Sequence, residues 1–468
     1  MHTKRRDFLK LSSLTGLGLI GSSILGKANS GTAELHAKFE TGDPDFNMCG
    51  FAAPRIETVR IGFIGLGMRG PTHVEGFSHI EGVEITALCD IRPEKVEEMQ
   101  KKLAGSKHKP DSYSGNADAW KKMCDRKDLD LIVISTPWAL HEPMAVYAMN
   151  AGKHVAIEVP AAKTIDECWS LVKTSEKTRK HCMMLENCCY DFFELLTLNM
   201  ARDGYFGEVL HGEGAYLHDL LGLNFDKNGY YDMWRLKENY RNGNLYPTHG
   251  LGPVAQILDI NRGDKMSNLT STSSADFLMA KTAEELAAKD PFYKQFTGKK
   301  FRGNMNVTNI TTDKGKTITL FHDVTSPRPY SRVHLITGTK NTARKYPEPA
   351  RIANGEDWVS EAEFKALQEK YTPEIVKKVG DMAKKVGGHG GMDFIMQWRL
   401  IDCLRNGLPL DQDVYDAAAW SVISPLSEWS VANKNNSIAV PDFTKGAWKT
   451  NKPVELTLKG GGTTQLVQ

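Results

Sequence analysis

The 468-residue sequence has few cysteines, little net charge and no long apolar run after its N-terminal region. Its eight cysteines form no C-x-x-C pair and are too sparse for a disulfide scaffold, so we expect no metal site. The net charge is only +2 and no long run carries one charge sign, so we expect no nucleic-acid partner. After the N-terminal region, no apolar stretch is long enough to span a bilayer.

The N-terminus carries a targeting pattern. Lys4–Lys10 reads KRRDFLK, an arginine pair followed by Phe-Leu-Lys, and an apolar, Gly/Ser-rich run extends from Leu11 to Leu25. This pattern predicts export by the twin-arginine translocase, which carries folded proteins to the periplasm or cell envelope. We therefore assign residues 1–30 to a signal peptide and residues 31–56 to a linker.

The segment VRIGFIGLGMRG contains the most informative motif of the chain. Gly65, Gly67 and Gly70 form G-x-G-x-x-G directly after a predicted strand, and Asp90 ends a second apolar run about twenty residues later. Such glycines allow a tight turn, close approach of a pyrophosphate and close packing of the next helix. Asp90 would accept a hydrogen bond from a ribose 2′-hydroxyl and repel a 2′-phosphate. The motif predicts NAD rather than NADP, the alternative being a glycine turn in an α/β fold without a ligand.

Alternating strands and helices from residue 57 to residue 186 predict a doubly wound parallel sheet, hence an N-terminal Rossmann domain. Beyond residue 187 the pattern changes to strands at hairpin-like spacing. We therefore predict a substrate-binding α/β domain at 187–445 with a large open, mostly antiparallel sheet, followed by a C-terminal tail at 446–468. The individual predictions are strands at Val59–Gly65, Glu84–Cys89, Leu129–Ser135, His154–Glu158, His181–Leu185, Glu208–His218 (an exposed strand), Asn306–Thr312, Thr317–Asp323 and Ser331–Gly338, and helices at Gly70–His79, Pro93–Ala104, Asp118–Cys124, His141–Asn150, Thr164–Lys180, Met392–Asn406 and Tyr415–Ala432.

Two further segments make a family resemblance specific. Together with the glycine motif and Asp90, STPWALH at 135–141 and GKHVAIEVP at 152–160 resemble the Gfo/Idh/MocA family, in which sugars bind between a Rossmann domain and an open-sheet domain. The usual dehydrogenase of that family has Glu-Lys-Pro where Glu158-Val159-Pro160 stands here, so its lysine near the nicotinamide is absent. EVPAA, LENCCY at 185–190, NLYPTHG at 244–250, GGMDF at 390–394 and DQDVYD at 411–416 closely resemble glycoside hydrolase family 109.

This resemblance implies an exported NAD-dependent α-N-acetylgalactosaminidase with redox-neutral chemistry. NAD⁺ takes hydride from carbon 3 of the sugar, a base removes the acidified hydrogen at carbon 2, and the glycosidic oxygen leaves carbon 1. Water then adds and the hydride returns, so NAD acts as a catalyst, unlike in two-carboxylate glycosidases. Two alternatives stay open: an exported NAD-dependent sugar oxidoreductase and a non-catalytic sugar-binding protein. The natural glycan and an assembly of identical chains also stay open.

The resemblance also implies the site residues. His249 and Tyr330 are the catalytic candidates, because histidine titrates near neutral pH and both match positions beside the sugar; which of them removes the carbon-2 proton is open. Aromatic and planar polar groups suit sugars, and the substrate-contacting positions are Tyr216, Arg235, Tyr246 and Tyr330. The residues expected to contact NAD are Gly65, Gly67, Met68, Arg69, Gly70, Asp90, Trp138, Ala139, Leu140, His141, Glu158, Val159, Asn187, Tyr246, Pro247, Thr248 and His249.

Overall fold

The structure is a computed structural model that describes residues 46–467. The predicted twin-arginine pattern at Lys4–Lys10, the apolar run Leu11–Leu25 and most of the predicted linker lie outside the described residues. Across the described part of the chain, no helix has both the length and the apolar character needed to cross a membrane.

The first half of the described chain forms a six-stranded sheet whose strand order is β3-β2-β1-β4-β5-β6. All its neighbouring strands pair in parallel, so their carboxyl ends meet at one edge, where ligands bind in open α/β sheets. The predicted doubly wound sheet is therefore confirmed, and only the short β3 was not predicted. The strands are β1 (Val59–Ile64), β2 (Val83–Cys89), β3 (Asp111–Tyr113), β4 (Leu131–Ile134), β5 (His154–Ile157) and β6 (Cys182–Met184).

Helices connect these strands at or within two residues of the predicted bounds. The local causes are visible at the longest of them, where the Thr164 hydroxyl caps the first turn by accepting from the Glu167 amide and Arg179 ends the helix in a left-handed conformation. The helices are α1 (Gly70–Ser78), α2 (Pro93–Leu103), α3 (Ala119–Cys124), α4 (His141–Asn150) and α5 (Ile165–Thr178).

The second half builds a nine-stranded sheet of order β14-β13-β12-β11-β7-β10-β9-β8-β15. One of its pairings, β7 with β10, is parallel and the others are antiparallel, which confirms the mostly antiparallel second sheet. The strands are β7 (Val209–Leu217), β8 (Met266–Ser273), β9 (Asn306–Thr312), β10 (Thr317–Asp323), β11 (Leu335–Gly338), β12 (Thr342–Arg344), β13 (Arg351–Asn354), β14 (Asp357–Trp358) and β15 (Ile438–Ala439).

Ten helices surround that sheet within residues 187–467. The stretch Tyr415–Ala432, predicted as one helix, is two helices that meet at Val422. The helices are α6 (Phe192–Arg202), α7 (Leu221–Phe225), α8 (Trp234–Glu238), α9 (Thr248–Ile257), α10 (Met279–Lys289), α11 (Glu361–Tyr371), α12 (Glu374–Val386), α13 (Met392–Asn406), α14 (Val414–Ser421) and α15 (Ile423–Ala432).

The expectation of an exposed strand at Glu208–His218 is wrong. This segment contains β7, which lies inside the sheet between β11 and β10 and is buried from Gly214 to Leu217. The alternation in its sequence comes from glycines that face α9 and not from residues that face solvent. A Cβ at Gly214 would collide with the backbone of Gly250 in α9. The small residues of β7 therefore let α9 pack directly on the strand.

Both ends of the described chain pack against the domains. The Tyr415 hydroxyl accepts from the Met48 amide, although Met48 belongs to the predicted linker. In the predicted C-terminal tail, the amides of Gly462 and Thr464 donate to the buried carboxylate of Asp402 in α13. These two segments have little regular secondary structure. The first packs on α14, and the second joins α13 to the Rossmann domain, where Leu466 forms a β-bridge with Ile80.

Candidate active site

The glycine turn after β1 fits the pyrophosphate of a dinucleotide. Gly65 has a φ of +90°, and a Cβ there would lie 2.6 Å from the Ser135 carbonyl oxygen. A Cβ at Gly70 would collide with the carbonyl of Gly65. At Gly67, by contrast, the nearest atom to a Cβ would be Nη2 of Arg92 at 3.5 Å. Gly65 and Gly70 are thus required by the chain itself, and Gly67 leaves open backbone where a phosphate could approach.

Asp90 lies beside this turn, at the end of β2. One carboxylate oxygen accepts from the Leu66 amide at 2.7 Å, and the other accepts from the Arg92 amide at 2.9 Å and from Nε of Arg92 at 3.3 Å. A carboxylate offers about four acceptor positions, so capacity for a ribose hydroxyl remains. The geometry therefore fits the predicted role of Asp90 in binding the adenosine ribose.

The side chain of Arg69 contacts protein groups, while the neighbouring Met68 is exposed. Arg69 donates from Nε to Glu158 at 2.8 Å and from Nη1 to Asp393 at 3.1 Å. Burial opposes ionisation of Glu158, but Arg69 and His73 hold the pKa of this carboxyl well below its usual range. Arg69 thus links the glycine turn to the end of β5 and to α13, which leaves the backbone of the turn as the predicted phosphate contact.

The loop after β4 is held by His141. This ring is fully buried, with Nδ1 2.7 Å from the Pro160 carbonyl oxygen and Nε2 2.8 Å from that of Thr136. Burial lowers the pKa of His141 while its two carbonyl contacts oppose that shift, and the ring joins two strand-end loops. Direct contact between this ring and NAD stays a prediction. Trp138 on the same loop is buried, and Ala139 and Leu140 are exposed.

Val159 and Asn187 follow the next two strands of the Rossmann sheet. Val159 is buried where the usual dehydrogenase has its lysine, so an apolar side chain occupies that position. The Asn187 amide donates to the carboxylate of Asp393. Burial opposes ionisation of Asp393 as well, but His389 and Arg69 hold the pKa of this carboxyl well below its usual range. The predicted NAD contacts Arg69, Glu158 and Asn187 are therefore joined in one hydrogen-bonded network.

The predicted sugar contacts form an aromatic cluster beside this network. The rings of Tyr216 and Tyr246 lie 4.5 Å apart, and Trp138 lies 5.7 Å from Tyr246. The guanidinium of Arg235 stands 5.0 Å from the Tyr246 ring and 5.3 Å from the Trp138 ring. Residues from both domains thus meet here, as the resemblance implies.

His249 lies in the first turn of α9, directly after Pro247 and the buried Thr248. Its ring is 4.8 Å from Tyr246 and 5.3 Å from Tyr216. Its Nδ1 lies 2.8 Å from one carboxylate oxygen of Glu186 and 3.0 Å from the other. The structure therefore joins an imidazole, a carboxylate and the aromatic cluster in one place.

Tyr330 closes the other side of the cluster. Nη1 of Arg332 donates to the Tyr330 hydroxyl at 3.4 Å, and the His218 ring lies 5.0 Å from the Tyr330 ring. Burial raises the pKa of Tyr330 despite Arg332, so its phenol stays protonated near neutral pH. Of the two catalytic candidates, His249 is the one suited to accept a proton.

Several residues at this site were missed by sequence reasoning. Glu186 belongs to the LENCCY segment at 185–190, but nothing local distinguishes it from its neighbours. Tyr230 and Trp234 pack beside Trp138 and Arg235, and the aromatic content of YYDMWR at 230–235 was the available signal. His218 lies one residue beyond β7, with Nδ1 3.2 Å from the Tyr216 hydroxyl, and its two-residue spacing from Tyr216 was the available signal.

Glu186, Cys188 and His249 present potential metal-ligating atoms within 4.8 Å of one another. Burial raises the pKa of Cys188 well above its usual value, which disfavours the thiolate that a metal would need. His249 Nδ1 is already paired with Glu186. The geometry therefore supports a carboxylate–imidazole pair at this position.

The chain matches two family models. Residues 59–186 match the model described as "Oxidoreductase family, NAD-binding Rossmann fold", and residues 190–450 match "Glycosyl hydrolase 109, C-terminal domain". The chain belongs to glycosyl hydrolase family 109. Relatives in this family include a Bacteroides fragilis "Glycosyl hydrolase family 109 protein 1", 48% identical over 92% of this chain and 96% of that protein. A B. fragilis "Alpha-N-acetylgalactosaminidase" is 51% identical over 86% of this chain and 96% of that protein.

Solved structures agree at the level of the fold. A levoglucosan dehydrogenase in complex with NADH and L-sorbose superposes with a TM-score of 0.62 at 17% identity, covering 83% of this chain and all of that one. These matches confirm the family 109 resemblance, its classification as a glycoside hydrolase and the expectation of NAD as cofactor. The geometry of the glycine turn and of Asp90 fits a dinucleotide, which independently supports NAD as the cofactor.

Proposed function

We propose that this family 109 protein hydrolyses glycosides ending in α-linked N-acetylgalactosamine. One observation carries the proposal: His249 and the Tyr216–Tyr246–Arg235 cluster converge beside the strand ends that bind NAD. This arrangement supplies an acid–base group and sugar-binding surfaces next to a redox cofactor. The 51% identical relative named for this activity supports the sugar specificity.

When bound, NAD would supply a hydride acceptor for carbon 3 of the sugar, whose hydroxyl proton passes to water, and later a hydride donor, so no external oxidant is needed. The residues of the chain move protons around this chemistry. His249 accepts the proton from carbon 2, and the electron pair of that C–H bond forms the enolate of the carbon-3 ketone. The glycosidic oxygen leaves carbon 1 with its bonding pair as the double bond between carbons 1 and 2 forms. Water adds to carbon 1 and its second proton goes to the departing alkoxide. The His249 imidazolium exchanges with solvent and then returns a solvent proton to carbon 2.

The other residues orient the sugar. Tyr330 keeps its proton and so donates a hydrogen bond, while Arg235 offers planar donors above the aromatic rings. Val159 cannot exchange a proton with a sugar hydroxyl as the dehydrogenase lysine does. This difference supports hydrolysis over net oxidation.

The test is incubation of the purified protein with nitrophenyl α-N-acetylgalactosaminide without added NAD. We expect nitrophenol release with no net formation of NADH. NADH accumulation without nitrophenol would favour a sugar oxidoreductase, and neither signal, despite sugar binding, would favour a binding protein. The β-anomer and the α-glucosaminide are matched controls, because each changes one stereocentre or ring position of the expected substrate.

We also propose that the protein is exported by the twin-arginine translocase to the periplasm or cell envelope. The KRRDFLK segment and the apolar run after it support this proposal. Export in the folded state suits a protein that binds its nucleotide before it leaves the cytoplasm.

A further inference from the structure

Glu186 is a buried charged residue without a role in the reaction described so far. It follows β6 and is fully buried, yet both of its carboxylate oxygens lie within 3.0 Å of Nδ1 of His249. A carboxylate only accepts hydrogen bonds, so Nδ1 must carry the proton of the neutral imidazole. The lone pair is then on Nε2, and within residues 46–467 no group hydrogen-bonds to that atom.

The charge of Glu186 is retained although the residue is buried. Burial opposes its ionisation, but His249 and the Cys188 amide, which donates to the same carboxylate at 3.1 Å, hold its pKa below the usual value. A buried carboxylate stabilises an adjacent imidazolium more strongly than a neutral imidazole. Its effect is therefore largest when His249 has just accepted a proton.

The local sequence is built to accept this pair. Gly252 lies one turn after His249 in α9, and a Cβ there would lie 2.9 Å from Cγ of Glu186 and 2.9 Å from Sγ of Cys189. The contact between Gly214 and Gly250 brings the start of α9 onto β7. Both close approaches place His249 between Glu186 and the sugar-binding rings.

We propose that Glu186 is a positioning residue for proton transfer at carbon 2 of the sugar. It fixes the tautomer of His249, directs Nε2 toward the substrate and stabilises the imidazolium that forms there. The role rests on the proposed function, because it presupposes elimination across carbons 1 and 2. It gives the chain a carboxylate–histidine pair like those of other acid–base sites, here assembled from a strand end and a helix start.

The test compares wild-type protein, Glu186→Gln and Glu186→Asp on substrate deuterated at carbon 2. Glu186→Gln keeps the shape but removes the charge, so we expect kcat and the rate of deuterium loss to fall about 10²-fold. KM and NAD content should change little, because Glu186 is fully buried and its carboxylate is held by His249 and the Cys188 amide. Glu186→Asp keeps the negative charge but moves it one methylene further from His249, so this variant should retain part of the kcat that Glu186→Gln loses.

A matched control is Glu176→Gln, which removes another buried carboxylate, paired with Lys445 and Tyr415 away from the site. It should leave kcat unchanged. Equal kcat in Glu186→Gln and wild type would overturn the inference. So would parallel loss of NAD and thermal stability in both Glu186 variants, since that marks a purely structural role. Full deuterium retention by the wild-type enzyme would instead refute the elimination chemistry itself, and the inference with it.

Discussion

Asp90→Ala tests the cofactor assignment most directly, because Asp90 contacts the glycine turn and is the residue predicted to bind the ribose. The carboxylate is 6% exposed and accepts from the Leu66 amide and from Arg92. A hydrogen bond to a charged group contributes about 1.5–3 kcal/mol. Losing the bond to the ribose and loosening the turn should therefore weaken NAD binding on the order of a hundredfold.

The same change should admit NADP. It removes the negative charge that repels a 2′-phosphate, and it leaves the Arg92 guanidinium, now 3.3 Å from Asp90, without its carboxylate. An arginine at this place in the fold can accommodate a 2′-phosphate. We expect the double variant Asp90→Ala/Arg92→Ala to lose this gain.

The assay is mass spectrometry of nucleotides released from denatured protein, followed by titration of the stripped protein with NAD and NADP. Wild type should release NAD, and Asp90→Ala should release little NAD and gain affinity for NADP. Asp118→Ala, which removes an exposed carboxylate paired with Lys121, is the control and should behave as wild type. Unchanged NAD retention in Asp90→Ala, or NADP in the wild type, would refute the reasoning.

Three further predictions follow from separate parts of the chain. His249→Asn should lower turnover about 10²–10⁴-fold. NAD content and the thermal midpoint should stay unchanged, because the asparagine amide can still donate to Glu186. Steady-state kinetics and analysis of the bound nucleotide check this prediction, and near-normal turnover would contradict it. Replacing Arg5 and Arg6 by lysine should leave active enzyme in the cytoplasm, and unchanged periplasmic delivery in cell fractionation would remove the export proposal. Burial lowers the pKa of His181 from 6.5 to about 4, so the unfolded chain takes up a proton that the fold excludes. His181 alone should therefore lower the free energy of unfolding as the pH drops below about 6.5, by on the order of 2 kcal/mol at pH 5. Urea titrations of His181→Phe should lack this contribution, while other buried histidines such as His334 keep theirs.

The Rossmann half was predictable because its signals are local. Runs such as LIVI in β4 and the glycines after β1 encode strand and turn within a few residues. By contrast, β8 reads MSNLTSTS and lacks an apolar pattern. Its polar groups bond to residues that are distant in the sequence; the Ser430 hydroxyl, for example, accepts from the Ser271 amide. Pairings of this kind form only when distant segments meet.

The site shows the same division. His249, Tyr246 and Asp90 could be named as candidates from the sequence, because each lies in a contiguous motif. The partner of His249 is 63 positions away, and Asp393 is 324 positions from Arg69. Such pairs depend on the docking of α9 and α13 onto the Rossmann sheet, which no local pattern encodes.

The ionic network around Arg69 connects these distant pairs to the proposed chemistry. Arg69 comes from the nucleotide-binding turn, Glu158 from the end of β5, and Asp393 from α13. Movement of α13 away from the Rossmann sheet would leave the buried Asp393 carboxylate without its arginine, which is costly in a low-dielectric interior. A dehydrogenase must release its altered cofactor after each turnover, whereas redox-neutral hydrolysis regenerates the cofactor in place. A nucleotide-binding turn tied to the substrate domain by buried charges suits the second cycle.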